Sequence, residues 1–502
     1  MKKQTIISIL FLIIGLQLVT SQGNAQTYFN NEFSNDSSIY NNGSFVHPFA
    51  DSSGYLVVGV VTIPGGTVYT RFLRLDELGD TLWAKLYGNS GVGQYTNVGN
   101  YVSIGDTNFV FTGTFSEETS GSSRTVLFKI DSSGNVLWDY RFGDQGMKTS
   151  PRDIKATPDG GYIITGNTTG WGNTNTGTSS FLLKLDSNGV EEWYKIYGGG
   201  LYRESYSVEV TADSGYIMSG RFYQSTATKE DINVVKTDVL GNLLWSKTYG
   251  TPERDNNFAY ITKYGATDDY ILVGGIDLAS GVLVDIQGYI ARINGLNGSV
   301  IWADTLDLIS GGVSEAFSSN VIILPDGNIM GIGVTAFGVN DAWLVKYDGN
   351  GNILWQRLFN KYGGNSRHSF TDIHQTYDKG FVICGDLTNV TVPEQTLWVL
   401  KLDSNGCEMP NCTVSISENL EDNNPLLVSP NPSSGVVNFK LLKANNNKAA
   451  QLYLFDITGK EILSTSFNTN VKQIDVNTYP KGIYFYQLIN GEARYSGKLI
   501  VQ

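Results

Sequence analysis

An all-β fold is predicted from three features of this 502-residue sequence. The composition is rich in residues that suit short strands and tight turns, with 57 Gly, 28 Tyr and 23 Phe against only 17% charged residues. A strand–turn–strand unit recurs at a nearly fixed interval. Beyond the N-terminus no long amphipathic helical window is found. Together they predict a seven-bladed β-propeller followed by a small C-terminal β-sandwich of Ig-like type.

The first 25 residues read as an export signal. Lys2 and Lys3 precede an apolar run from Ile6 to Val19, and Gly23-Asn24-Ala25 supplies small residues for cleavage. The run is short for a span and no other stretch approaches about 20 apolar residues, so no transmembrane segment is expected. A formal charge of −13 without a Lys/Arg cluster excludes nucleic acid and anionic membrane as natural partners.

Residues 26–408 carry the repeat. Its clearest copy, Phe181 to Gly198, is an apolar strand, the turn Asp186-Ser187-Asn188-Gly189, and a second strand holding Trp193 and Tyr197. Asp opens such a turn by bonding its own backbone, and Gly supplies the positive φ. Copies centre on Trp83, Trp138, Trp193, Trp245, Trp302 and Trp355, with steps of 55, 55, 52, 57 and 53 residues. A seventh turn, Asp403 to Gly406, lacks its Trp. A second hairpin precedes each copy, as in Asp213-Ser214-Gly215-Tyr216, so each unit should hold four antiparallel strands, repeated seven times, which is a propeller pattern. The tight 1–2 and 3–4 turns then share one rim, and the longer 2–3 and 4–1 connections share the other. The segment Thr27 to Ser34 matches the aromatic spacing of Leu82 to Gly88 and is expected to supply the missing outer strand of the last blade, closing the ring.

The hairpin resembles the tryptophan-docking motif of quinoprotein propellers and is similar to the Asp-box of sialidases; in both it is a fold element. The whole repeat is most similar to seven-bladed propeller repeats of secreted bacterial proteins, a likeness that implies architecture and no chemistry. After a polar linker at 409–424, residues 425–502 read as short strands between Pro, Asn and Gly turns. The motifs Val428 to Gly435, Leu452 to Lys460, Tyr479 to Tyr486 and Gly497 to Gln502 closely resemble the type A sorting domain of the type IX (Por) secretion system. That resemblance implies a Gram-negative host, an outer-membrane secretion translocon and a sorting peptidase as partners, and a protein secreted or held on the outer cell surface.

Residues common to all copies are expected to be scaffold: the six hairpin Trp, and the cation series Arg74, Lys129, Lys184, Lys236, Arg292, Lys346 and Lys401, each with its stem packed and its charge paired. Candidates for chemistry lie where the copies differ. Arg203, Glu204, Arg254, Asp255 and Arg367 stand in the 4–1 connections, where Arg and carboxylates could converge as acid, base or anion binder. Trp171 and Tyr202 could stack on a sugar ring or anchor a protein. The three His, at 47, 368 and 374, lack ligand spacing; those of the first and last repeats could meet across the closure and read as satisfied structural groups. No metal and no cofactor is expected. Cys384 reads as a core thiol, and Cys407 with Cys412 as a local disulfide. The leading reading is a monomeric, non-enzymatic binding or adhesion module for a glycan or protein; the alternative is a glycan-active, sialidase- or glycosidase-like enzyme at the channel mouth.

Overall fold

A computed structural model describes residues 27–34, 40–88, 94–116, 122–143, 148–169, 177–198, 203–223, 230–250, 256–277, 286–306, 314–317, 319, 321–336, 341–362, 366–389, 392–408, 426–429, 433, 435–441, 449–456, 460–469, 471–490 and 493–501. All of its regular elements are strands. Those between Phe29 and Leu402 fall into consecutive antiparallel units, each running from an innermost to an outermost strand, and the first and last share one eight-stranded sheet, joined by the parallel bridge of Tyr40 with Gln395. The innermost strands are Tyr40–Pro48, Gln94–Ile104, Thr149–Ala156, Arg203–Val210, Asn256–Lys263, Ser314–Phe317 with Ile322–Ile323, and Arg367–Gln375. Each unit packs on the next, and Tyr40–Pro48 packs on Arg367–Gln375, so the fold is a β-propeller.

The repeated hairpin shows why its residues recur. In six 3–4 turns the Asp carboxylate accepts two backbone N–H groups, and in the fifth the Asn294 amide oxygen does so; Asp186 takes those of Asn188 and Val190, both at 2.8 Å. The turn Gly adopts positive φ, from 66° at Gly298 to 89° at Gly351. It must also lack a side chain, because the Trp of the preceding unit occupies that space: a Cβ on Gly134 would meet Trp83 at 2.6 Å, and one on Gly406 would meet Trp355 at 2.7 Å. The hairpin is therefore a lock between neighbours.

At Gly79, the turn of the first unit, the same space holds the ring of Phe29, 2.8 Å from where a Cβ would stand. Phe29 belongs to the strand Phe29–Phe33, which pairs antiparallel with Val392–Leu402 and sets Phe29 opposite Lys401, the register that sets Trp193 opposite Lys184. Asn31 donates from Nδ2 to the Gly79 carbonyl at 2.9 Å, as the Tyr197 hydroxyl does to Gly241 at 2.7 Å. Lys361 pairs with Glu32 at 2.8 Å, and the Trp398 indole donates to Asn30 at 2.8 Å.

Four cations of the repeated series, Lys184, Lys236, Arg292 and Lys401, tie the third strand to the 1–2 turn of their unit. Lys184 pairs with Asp159 at 2.8 Å and Glu192 at 2.9 Å; Lys236 with Asp213 at 3.1 Å; Arg292 with Asp269 at 2.6 Å; Lys401 with Asp378 at 2.8 Å. Arg74 instead donates to the Ser53 carbonyl at 3.0 Å and lies 3.8 Å over the Phe49 ring.

Two departures from the sequence reading stand out. The sixth unit has its innermost strand in two pieces, because Phe317 turns into the core, packing edge-on to Trp343 at 4.9 Å over the space that Gly331 leaves open. The innermost strands of the other six units each carry a bulge, between Pro151 and Asp153 or Ser205 and Ser207 for example. Bulging leaves N–H groups outside the ladder. A carboxylate of an adjoining unit accepts them: Asp153 takes the Val208 N–H at 2.9 Å, and Asp372 takes that of Val46 at 3.0 Å across the closure.

Toward the C-terminus, Leu426–Ser429, Val436–Leu441 and Val471–Asp475 form one sheet; Ala450–Phe455, Glu461–Phe467, Gly482–Asn490 and Ala493–Val501 form another. Phe439, Leu452, Leu454, Tyr486, Leu488 and Leu499 are buried in a single cluster drawn from both. Alternation of buried and exposed residues along Val436–Leu441 is the period-2 signature of a half-buried strand.

Candidate functional site

Polar side chains gather where the innermost strands leave the rim of 2–3 and 4–1 connections. Glu204, near the start of its strand, accepts from Arg221 Nε at 2.7 Å and from the Tyr206 hydroxyl. Burial and then the Glu204 carboxylate push the Tyr206 phenol far up, so it stays a protonated donor. Arg203, on the opposite strand face, lies 4.1 Å over the Phe222 ring, and burial lowers its guanidinium from the ordinary value. The two residues do not converge: each is held by a neighbour within its own sheet.

Arg367 is exposed at the start of the last innermost strand, opposite Thr388. Arg254, Asp255, Trp171 and Tyr202 lie outside the described residues. Cys384 is free and buried, and Cys407 is disulfide-bonded; Cys412 lies outside the described residues.

Arg152, Tyr206 and Tyr260 were not singled out from the sequence. Arg152 and Tyr206 are the residues inserted by the bulges of adjacent innermost strands. The Arg152 guanidinium stands over the Tyr206 ring at 5.6 Å, and that ring lies 6.0 Å from the ring of Tyr260. The signal for them is present when Pro151-Arg152-Asp153-Ile154 is set beside Ser205-Tyr206-Ser207-Val208, provided the bulge is recognised first.

At the opposite end of the innermost strands, His47 and His374 approach across the closure, ring centroids 6.4 Å apart. His47 bonds Asp106 at 2.8 Å and the Tyr101 hydroxyl at 3.1 Å, and His374 bonds the same hydroxyl at 3.3 Å. Burial lowers the His47 pKa even against the Asp106 hydrogen bond. His368 is buried beside Trp398 and accepts the Lys361 N–H at 3.0 Å. These are hydrogen-bonded structural imidazoles. Among the described residues no group of three His, Cys, Asp or Glu could hold a metal, and no helix is long and apolar enough to cross a membrane.

Residues 427–502 match the secretion system C-terminal sorting domain. No curated protein sequence matches the chain. Similar solved structures include the β-propeller domain of the Trilobed protease from Pyrococcus furiosus, at 10% identity and TM-score 0.40, covering 69% of this chain and 91% of that one. An α-L-arabinanase from Penicillium chrysogenum is similar at 12% identity and TM-score 0.43, covering 64% and 99%. The WD40 domain of SCAP from fission yeast is similar at 9% identity and TM-score 0.36, covering 76% and 99%. The sorting domain marks the protein for type IX export, so it is secreted or held on the outer cell surface.

Proposed function

We propose that residues 26–408 form a seven-bladed binding or adhesion module that engages a glycan or protein through the rim of 2–3 and 4–1 connections. Residues 409–424 link it to an export domain at 425–502, read by the outer-membrane translocon and removed by the sorting peptidase. The observation that carries this reading is the contrast between the two rims. On one, six 3–4 turns repeat the same Asp-to-backbone bonds, leaving little for a specific partner to read. On the other, connections differ in length and composition from unit to unit, which is where rigid scaffolds place recognition.

A glycan-active enzyme using Glu204 as acid or base is the second reading. The Arg221 and Tyr206 bonds weigh against it, because they hold Glu204 as a paired carboxylate. Glycan and protein arrays probed with the exported protein, followed by product analysis of each bound polymer, separate the two. Binding with every polymer recovered intact is expected. Polymer shortening that disappears in Glu204→Ala or Arg203→Ala would establish the enzyme instead.

A further inference from the structure

Between the first and second units, the outer strands Thr81–Tyr87 and Val136–Phe142 border a cavity of about 240 Å³. Thr70 and Phe128, both buried, form its floor, and Leu86, Tyr87 and Val136 form its walls. The exposed Asp139 carboxylate stands at its mouth with the exposed Leu86 and Val136. Tyr87 is fixed there, because its hydroxyl donates to the Gly134 carbonyl and its ring packs edge-on to Phe72 at 4.9 Å.

Asp139 is the charged group of this lining, and it makes no hydrogen bond or ion pair among the described residues. Nearby cations on the same outer strands are committed elsewhere. Lys85 donates to the Ser133 carbonyl at 2.7 Å and to the Asn135 side chain at 3.0 Å, and Arg141 lies 3.8 Å over the Phe115 ring. In the five other copies the residue after the hairpin Trp is uncharged: Ala84, Tyr194, Ser246, Ala303 and Gln356. The carboxylate is therefore no part of the repeated scaffold.

The cavity is smaller than the roughly 300–1,000 Å³ of a drug-sized pocket, so its ligand is a single small group. An apolar floor with one carboxylate at the mouth suits a ligand whose apolar end enters while its charge stays near water. A compact ammonium is matched there by Asp139, by the partly exposed Tyr87 ring and by solvent. The formal charge of −13 favours the approach of a cation.

We infer that the cavity between the first two units binds a primary ammonium carried on a short apolar tail, with Asp139 taking the ammonium and Leu86, Tyr87, Val136 and Phe128 enclosing the tail. The site lies between outer strands, apart from the 2–3 and 4–1 connections, so it stands or falls independently of recognition by that rim.

The test is ligand-observed NMR titration of the exported protein with 2-phenylethylamine and with 2-phenylethanol, which keeps the tail and lacks the charge. Saturable amine binding is expected, about fivefold tighter than the alcohol. Asp139→Asn should erase that preference and Val136→Trp, which fills the mouth, should abolish binding of both. Both positions are exposed, so both variants should keep the wild-type thermal midpoint. No saturable amine binding, alcohol binding as tight as amine binding in the wild-type protein, or an amine preference that persists in Asp139→Asn overturns the site. Two further probes separate a free amine from the N-terminus of a polypeptide. Displacement of the amine by Phe-Gly-Gly-amide, lost on N-acetylation, supports the site and extends it to chain N-termini; failure of that peptide to displace supports the site for free amines alone. Equal displacement by the acetylated peptide overturns recognition of the ammonium.

Discussion

Lys236 keeps its ammonium 2% exposed between Asp213 at 3.1 Å and Asp268 at 3.5 Å. A buried cation at this position is tolerated because turn carboxylates of its own and the next unit face it. Replacing it with Met leaves two carboxylates without their partner, and Lys236→Met should cost about 3 kcal/mol in urea unfolding followed by Trp fluorescence. Asp386 presents the opposite case. Burial pushes its carboxyl up to about 6, against a weaker opposing hydrogen bond from Gln395. Its folded value exceeds the ordinary 3.8, so the fold gains stability as pH falls from about 6 to about 4, and loses it as pH rises through the same window. Asp386→Asn should therefore stabilise by about 2 kcal/mol at pH 7.5 and by almost nothing at pH 4, checked by urea midpoints at the two values.

The repeated hairpin joins turn, strand and neighbour through three contacts: Asp on backbone N–H, Gly under Trp, and cation on turn carboxylate. The residues that make these contacts were legible in the sequence, because each recurs at a fixed offset; that the Trp fills the space over the turn Gly, and that a 1–2 turn carboxylate takes the cation in four copies, needed the structure. The outer position of Thr27 to Ser34 was legible for the same reason, and the register that sets Phe29 opposite Lys401 gives it the place of a hairpin Trp. What escaped was the bulge. One inserted residue switches every later side chain to the other face, so a period-2 reading of Thr149–Ala156 hides Arg152 and misplaces Asp153. Removing residues 27–34 should lower the thermal midpoint of the propeller by roughly 10 °C or more, by exposing a sheet edge and the space beside Gly79; Phe29→Ala should reproduce part of that loss, at about 3 kcal/mol. Differential scanning calorimetry reads both, and an unchanged midpoint would remove the closing role of this strand.

Across the whole molecule, the export domain and the proposed recognition surface lie in different parts of the chain. The export end was legible because its motifs stand in fixed order near the C-terminus, and the sorting-domain match covers 427–502. The proposed binding surface was legible only as a rim, since Glu204 has the type a site needs but is held by Arg221, and Arg203 lies over the Phe222 ring. Side-chain type names a possible chemistry; only placement shows which groups remain available. The measurement that bears most directly on recognition by the variable rim uses bulky maleimide labels. Ser187→Cys places one in the 3–4 turn Asp186 to Gly189, and Thr169→Cys places one where a 2–3 connection begins, both at exposed positions, while the native Cys384 is buried. Polymer binding measured after labelling should be abolished at position 169 and remain within about twofold of wild type at position 187; loss at 187 with retention at 169 would contradict the assignment of the binding face.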